Sequence, residues 1–454
     1  MCRVTWYRPR LVAAAPALFA ALHAETASAD GSVLGRSLSS VGPSLVGEPL
    51  SLPGLNEGIF YPPEVSPRGI QPAPRATIRS RQTVGSIHCL VLLVDFADNA
   101  GQRDPDEVRE MLFSRGAYST GSMHDFYHEN SYGQVDMDGT VVGWLRMPQP
   151  YAYYTGGQRG LAAYPYNTQR LVEDALALAA QQVDFRRCDA DGDLFLDGLF
   201  VVHAGGGAEA EINPATRLSK VWSHQWNIPQ PFVSAGISAY TYCATPEDGR
   251  IGVFCHEFGH MLGLPDLYDT SYRSSGVGQW CVMGTGSWNN GGLSPGHFCA
   301  WAKVRLGWVT PAVVMATQTL RMEPVERQQA TVYRLWTGGV VGSEYFLVEA
   351  RQPVGFDTAL PGAGLLVWRI DEAQPDNTRP GRYLVGLEQA DGRHDLEVGR
   401  NTGDAGDPYP GAATVTEYDA ATVPSFDPGR VPPSGVGITE ILRLDEIVTC
   451  TVTV

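Results

Sequence analysis

The stretch that decides the fold of this 454-residue chain is HEFGHMLGLPD, residues 256–266. On a helix, His256 and His260 differ by about 40° in azimuth and about 6 Å in rise, so both imidazoles reach one ion from one face. Glu257 lies beside the first ligand, where its carboxylate can accept a proton from an attacking water without binding the metal itself. The spacing predicts two metal ligands and a catalytic base on one helical turn.

The third predicted ligand, Asp266, requires the helix to end before it. Ten further helical residues would carry it roughly 15 Å along the axis, whereas a metal–oxygen bond is about 2.0 to 2.2 Å long. Gly263 tolerates the positive φ of a helix end and Pro265 cannot continue a helix, so the chain can turn back. Two imidazoles, one carboxylate and an open position are typical of zinc. The alternative is a helix with two surface histidines that bind nothing.

Over residues 84–454 the sequence resembles the immune inhibitor A-like family of secreted metalloproteases in the metzincin clan. The similar segments include GSMHDFY (121–127), VWSHQW (221–226), WCVMG (280–284), EYFLVEAR (344–351) and GDPYPG (406–411). The resemblance implies a zinc protease that acts on protein or peptide substrates, with Met283 as the floor beneath the metal. In many metzincins a tyrosine soon follows this methionine. Residues 284–288 contain none, so the group that stabilises the oxyanion stays open.

An acidic loop suggests a second metal. Its carboxylates belong to Asp189, Asp191, Asp193 and Asp197. Hard oxygen ligands favour calcium, although Leu194 and Phe200 stand where an EF-hand loop has glycine and glutamate. The family resemblance includes a comparable loop, so we predict a calcium site, with a solvated acidic turn as the alternative. Asp404 and Asp407 form a weaker candidate for an ion.

The N-terminal 82 residues have the composition of processed segments. Residues 1–29 resemble a signal peptide, with three arginines before an apolar run and a small-residue cleavage site at Ala27-Ser28-Ala29. Residues 30–82 are rich in Gly, Pro and Ser, which indicates a pro-segment or an extended arm. The protein is therefore predicted to be secreted or periplasmic; the sequence does not fix the maturation site.

The rest of the chain is predicted to be of the α+β class, with two domains. Residues 83–310 form a metzincin-like catalytic domain, a twisted mixed sheet plus the active-site helix, whose central strand is the apolar run 87–95. Ile237–Cys243 is the predicted edge strand, along which an extended peptide substrate would add. Residues 311–454 consist of short apolar runs between Gly, Pro and Asp turns, which predicts a β-rich, sandwich-like domain. Helices are predicted at 104–113, 122–129 and 168–182.

Charge and composition exclude some partners. The chain has 33 basic and 49 acidic residues, and this acidic balance argues against nucleic acid and anionic membranes. After the signal segment no apolar stretch is long enough for a transmembrane helix, so no membrane insertion is expected. Removal of Cys2 with the signal peptide leaves an odd number of cysteines, so at least one thiol is free or pairs between chains. The oligomeric state is not determined.

The predicted function is that of a secreted zinc-dependent metalloendopeptidase, in which a zinc-activated water attacks the peptide bond and Glu257 is the general base. The alternative is a non-catalytic secreted binding module, stabilised by calcium, with a structural zinc site. Glu257 discriminates between them, because a structural site needs no base beside an open coordination position. The natural substrate and the cleavage specificity do not follow from the sequence.

Overall fold

Five strands form one mixed sheet in the computed structural model, which describes residues 83–327, 331–419 and 435–454. They are β1 (Gly85–Asp95), β2 (Val135–Arg146), β3 (Gly198–His203), β4 (His224–Ser234) and β5 (Ile237–Pro246). Their order across the sheet is β2-β1-β3-β5-β4. Neighbouring strands are parallel except β4, which runs antiparallel to β5. The predicted signal peptide (1–29) and pro-segment (30–82) lie outside the described residues.

Strand β1 lies inside the sheet because its side chains are apolar on both faces. One hydrophobic cluster contains Cys89, Val91 and Leu93, and a second contains Leu90, Leu92 and Val94. A parallel strand that is covered on both faces has a nearly continuous apolar sequence. This explains the apolar run from which the central strand was predicted.

The predicted position of the edge strand is wrong. Residues 237–243 belong to β5, which pairs with β3 on one side and with β4 on the other, so β4 is the edge. The physical reason lies in Pro229 and Pro231, which interrupt the pairing between Asn227 and Phe232. Proline cannot donate a ladder hydrogen bond and is therefore tolerated on edge strands and at bulges.

Seven α-helices occur in the described ranges. They are α1 (Pro105–Phe113), α2 (Met123–Asn130), α3 (Tyr151–Thr155), α4 (Thr168–Ala179), α5 (Pro214–Arg217), α6 (Ile251–Met261) and α7 (Ala300–Arg305). Ser122 and Asp125 form a capping box at the start of α2, which explains its sharp beginning. None of the helices in the described part of the chain combines the length and apolarity needed to cross a membrane.

Helix α6 packs on the face of the sheet that also carries α1 and α2. Phe254 and Phe258 of α6 share a hydrophobic cluster with Met111 of α1 and Tyr127 of α2. The hydroxyl of Tyr127 also donates a hydrogen bond to the carbonyl of Cys255, at 2.7 Å. The helix that carries the predicted site is thus fixed on a buried face.

Two further sheets follow α7. One has the order β11-β10-β9-β8-β6 and the other the order β12-β13-β7. Their strands are β6 (Ala312–Val314), β7 (Gln318–Met322), β8 (Tyr333–Trp336), β9 (Glu344–Arg351), β10 (Gly364–Asp371), β11 (Val385–Glu388), β12 (Gly437–Leu444) and β13 (Ile447–Thr453).

Strand β9 contributes to two hydrophobic clusters. Phe346 and Val348 pack with β12 and β13, whereas Tyr345 and Leu347 belong to the cluster that contains α6. All described residues fall in one compact unit. The sandwich-like arrangement and the domain boundary at residue 310 stay predictions.

Candidate metal centre

Helix α6 ends as the position of Asp266 requires. Gly263 has a φ of 96°, its N–H bonds to the carbonyl of His260 at 2.9 Å, and the N–H of Leu264 bonds to the carbonyl of Gly259 at 3.1 Å. These two bonds form the Schellman motif that closes a helix with a left-handed residue. The chain reverses there and returns towards the two histidines at Asp266.

The three predicted zinc ligands lie together. Nε2 of His256 is 3.2 Å from Nε2 of His260, and Oδ1 of Asp266 is 3.0 Å and 3.3 Å from these two nitrogens. The exposed fraction of the side chain is 12% for His256 and 1–2% for the other two. The cluster therefore opens to solvent mainly at His256.

The backbone fixes the orientation of both imidazoles. Nδ1 of His256 is 2.8 Å from the carbonyl of Val282, and Nδ1 of His260 is 2.8 Å from the carbonyl of Leu264. A carbonyl only accepts, so each Nδ1 donates and each Nε2 faces the cluster. Such a hydrogen bond on the far nitrogen is usual for histidines that bind a metal.

The cluster attracts positive charge. Burial disfavours a charged imidazole, but the hydrogen bond and the charge of Asp266 outweigh it and raise the pKa of His256 to about 9. The two histidines in turn hold the pKa of the Asp266 carboxyl well below its usual value, against the effect of burial. Two nitrogen donors and one carboxylate, buried and convergent, fit a zinc ion, which would take the place of a proton.

Glu257, the predicted base, is 5% exposed and follows His256 on the helix. Its negative charge contributes to the raised pKa of His256, so the two groups are electrostatically coupled. Its backbone carbonyl accepts a hydrogen bond from the thiol of Cys243 on β5. This bond ties the backbone of α6 at Glu257 to the sheet.

Met283 lies against α6 at Gly259, between the two histidines. A Cβ atom at position 259 would be 2.5 Å from Sδ of Met283, so only glycine permits this approach. Met283 is fully buried, and its carbonyl accepts a hydrogen bond from the N–H of Leu267 at 2.8 Å. The methionine segment therefore contacts both the helix and the loop that carries Asp266.

Sequence reasoning missed Tyr268. Its ring stacks on His256, with centroids 6.3 Å apart and an interplanar angle of 29°. The family pattern directs attention to the residues after Met283, whereas Tyr268 follows Asp266. Its distance of two residues from the third ligand is the signal in the sequence that could have identified it.

The acidic loop contains three of the four predicted calcium ligands in one cluster. Carboxylate oxygens of Asp189, Asp191 and Asp197 lie within 4.8 Å of one another. Burial raises the pKa of Asp197 to about 6, with smaller increases from Asp191 and Asp189 and opposing hydrogen bonds from His88 and Ala190. Asp193 does not join the cluster.

Asp193 has another role in the same loop. Its Oδ1 accepts a hydrogen bond from the N–H of Phe195 at 2.8 Å. In the second acidic segment, Asp404 groups with Asp391 and Asp395. Asp407, predicted together with Asp404, instead accepts a hydrogen bond from the indole N–H of Trp280 at 2.9 Å.

No disulfide joins the cysteines of the described ranges, and all of them are buried. They are Cys89, Cys188, Cys243, Cys255, Cys281, Cys299 and Cys450. Cys255 precedes the first predicted ligand but lies outside the histidine–aspartate cluster.

Comparisons with known proteins found similar sequences for part of the chain. Residues 101–308 match the family model described as immune inhibitor A peptidase M6, catalytic domain. The chain is 32% identical over 238 residues to the pre-pro-metalloprotease PrtV of Vibrio cholerae, and this alignment covers 44% of this chain and 26% of that protein. It is also 32% identical over 250 residues to Immune inhibitor A of Bacillus thuringiensis subsp. alesti, and this alignment covers 44% of this chain and 36% of that protein.

These matches confirm the predicted family resemblance over residues 101–308, where the family model describes a peptidase catalytic domain. The aligned part of the chain spans 26% to 36% of the length of these two relatives.

Proposed function

We propose that this protein is a secreted zinc-dependent metalloendopeptidase that hydrolyses peptide bonds in protein substrates. The observation that carries the proposal is the buried convergence of His256, His260 and Asp266, at the helix that also carries the buried Glu257. The match of residues 101–308 to a peptidase catalytic domain supports it. Secretion rests on the composition of residues 1–29.

Zinc is the metal that suits this donor set. His256, His260 and Asp266 would hold it through two nitrogens and one oxygen, and a fourth position is left for water or substrate. When bound there, zinc supplies a Lewis acid that polarises the scissile carbonyl and acidifies the attacking water. The negative charge of Asp266 makes the ion a weaker Lewis acid than a third imidazole would, so the contacts that orient Asp266 are important.

Glu257 is the proposed general base. Its carboxylate takes the proton of the attacking water and delivers it to the nitrogen of the leaving amine. Burial at the edge of the histidine cluster keeps this proton transfer away from bulk solvent, where the proton would be lost. Met283 and the backbone acceptors of the two histidines hold the donor atoms in position during the reaction.

We also propose that Asp189, Asp191 and Asp197 bind calcium. Three carboxylates within 4.8 Å repel one another, and a hard divalent cation would relieve this repulsion. The loop leads directly into β3, whose first residue is Gly198. Calcium would thus stabilise the entry to a central strand, without a part in the chemistry.

The experiment that tests the proposed function compares the purified protein with its Glu257→Ala and Glu257→Gln variants. Casein hydrolysis and bound zinc are measured in all three. We expect the variants to keep zinc and to lose roughly 100-fold to 10,000-fold in rate, as the loss of a general base implies. A zinc chelator should abolish the activity of the unmodified protein.

The matched control is Glu110→Gln, a change of the same kind at an exposed position on α1, which should leave the rate unchanged. Zinc binding without cleavage, even after removal of residues 30–82, would contradict the enzymatic proposal. That result would favour the secreted binding module with a structural zinc site.

A further inference from the structure

The chain between α6 and residue 283 carries both Asp266 and Met283, and we call residues 264–283 the site loop. One side of the site loop faces α6 through the hydrogen bonds of Val282 and Leu264 with the two histidines. Other contacts of the site loop reach the β-rich region after residue 310, which lies beyond the residues that match the peptidase family model. These outer contacts act on the groups that orient the metal ligands.

Asn377 holds the residue next to Asp266. Its Nδ2 donates to the carbonyl of Leu267 at 2.7 Å and to the carbonyl of Val385 at 2.8 Å. Its Oδ1 accepts from the N–H of Val385 at 3.1 Å. Asn377 is completely buried, so one amide side chain links strand β11 to the backbone immediately after the third predicted ligand.

Trp280 makes hydrogen bonds through its indole N–H and its backbone carbonyl. Its indole N–H donates to Oδ2 of Asp407 at 2.9 Å, and its carbonyl accepts from Nη1 of Arg351 at 3.2 Å. The side chain of Trp280 is fully buried. Two residues further on, the carbonyl of Val282 accepts the hydrogen bond of His256, so a shift of Trp280 would move the acceptor that sets the orientation of this imidazole.

Arg351 is itself locked in place. It is completely buried and forms ion pairs with Glu326, Glu349 and Asp357 at 3.2, 3.2 and 2.6 Å. A buried arginine that loses such partners would leave a costly uncompensated charge, so the network has little freedom to move.

The same network reaches Val282 by a second route. Oδ1 of Asp357 accepts from the N–H of His297 at 2.8 Å, and the carbonyl of His297 accepts from the N–H of Val282 at 3.3 Å.

The middle of the site loop is tied in the same way. Four hydrogen bonds, all between 2.6 and 2.8 Å long, join it to the later region. They pair Ser274 Oγ with Tyr383 Oη, Ser275 N–H with the carbonyl of Leu396, Ser275 Oγ with the carbonyl of Asn401, and Gln279 N–H with the carbonyl of Thr402. A Cβ atom at Gly278 would lie 2.2 Å from the carbonyl oxygen of Thr402. The later region therefore lies directly against the site loop along its length.

We propose that Asn377, Arg351 and Asp407 are positioning residues of the metal centre. The β-rich region would then complete the site: it fixes the backbone that orients His256 and presents Asp266, although none of its described residues joins the ligand cluster. This inference rests on the proposed metal site but not on the identity of the substrate. Groups that orient metal ligands typically change metal affinity or activity by about 10-fold to 100-fold when they are removed.

The test is the Asn377→Asp variant of the full-length protein. Aspartate has nearly the same shape and keeps the acceptor for the N–H of Val385, but it cannot donate to the carbonyls of Leu267 and Val385. Zinc affinity is measured by competition with a chelator, and the absorption spectrum of the cobalt-substituted protein reports the geometry of the ligands. We expect about 10-fold to 100-fold weaker zinc binding and an altered cobalt spectrum.

The matched control is Asn213→Asp, the same change at the N-cap of α5, where aspartate also caps a helix. It should leave zinc affinity and the cobalt spectrum unchanged. If Asn377→Asp does not fold, Trp280→Phe decides, because it keeps an apolar ring but removes the indole N–H that meets Asp407, together with part of the buried ring system, and should change the cobalt spectrum.

A folded Asn377→Asp or Trp280→Phe protein with unchanged zinc affinity and an unchanged cobalt spectrum would overturn the inference. The two proposals fail in different ways. Absence of zinc binding in the unmodified protein counts against the proposed function, whereas zinc binding that neither variant alters counts against the positioning role alone.

Discussion

At the residue scale, Gly259 of α6 and Met283 approach each other closely in the candidate metal centre. Helix propensity alone would favour alanine over glycine in a helix interior by about 1 kcal/mol. A Cβ atom at position 259 would nevertheless lie 2.5 Å from Sδ of Met283 and 3.3 Å from the ring of Phe298. Helix propensity would make Gly259→Ala stabilising, whereas the contact with Met283 would make it destabilising. The sign of the measured change in stability therefore shows which effect is larger.

We expect Gly259→Ala to lower the free energy of unfolding by about 1–3 kcal/mol, the usual cost of an overpacked core, and to weaken zinc binding because Met283 must move. Urea denaturation and a chelator titration measure the two effects. Gly342→Ala is the control, since the nearest atom to a Cβ there is 3.9 Å away. A more stable Gly259→Ala protein would mean that the contact with Met283 is easily relieved.

Single residues also show the limits of sequence reasoning. The ligand triad, Gly263 and Pro265 follow from local rules, because a metal bond length and a helix rise leave few alternatives. Tyr268 does not follow, because stacking on His256 depends on how the loop folds back. The burial of the Arg351 charge does not follow either, since an arginine in an apolar strand gives no signal of the buried carboxylates that the fold places around it.

At the scale of elements, the acidic loop before β3 makes a prediction about pH. Burial and the neighbouring carboxylates raise the pKa of Asp197 to about 6 in the folded protein, above the ordinary value of about 3.9. The ionised form is therefore the less favourable one in the fold, and stability falls as the pH rises through about 6. Calcium binds the ionised form, so it should restore this loss.

Calcium is accordingly expected to raise the melting temperature more above pH 7 than at about pH 5. Differential scanning calorimetry with and without calcium measures this. Asp191→Asn should abolish the calcium response. Asp193→Asn should keep it, because Asp193 lies outside the cluster and its carboxylate accepts a hydrogen bond from the N–H of Phe195. An equal response in both variants, or no response in the unmodified protein, would favour a solvated acidic turn.

The elements themselves were predictable to different degrees. Strand β1 and helices α1, α2 and α4 follow from periodicity and capping residues, and β8, β9, β10 and β13 follow from their apolar runs. The prediction of an edge strand at Ile237–Cys243 is wrong because a further strand, β4, pairs with β5 on its outer side and contains Pro229 and Pro231. An edge strand tolerates prolines that an inner strand would exclude, so the correct order could have been inferred from them.

At the scale of the whole molecule, one hydrophobic cluster spans the predicted domain boundary at residue 310. Phe258, Trp280 and Met283 share it with Leu347 and Trp368 of the β-rich region. Fully burying a large apolar side chain contributes about 1.5–3 kcal/mol, and a typical domain is stable by only about 5–15 kcal/mol. Exposure of a few such residues is enough to unfold the earlier part of the chain.

We therefore expect the fragment that ends at residue 310 to lack a cooperative unfolding transition, to bind a hydrophobic dye and to bind zinc weakly. It would lose the partners of Trp280 at the same time as the apolar cover of Met283. Calorimetry, dye fluorescence and a chelator titration of the fragment beside the full-length protein measure this. A fragment that unfolds cooperatively and binds zinc as tightly as the whole chain would show that residues 83–310 fold alone, and that the β-rich region is dispensable for the metal centre.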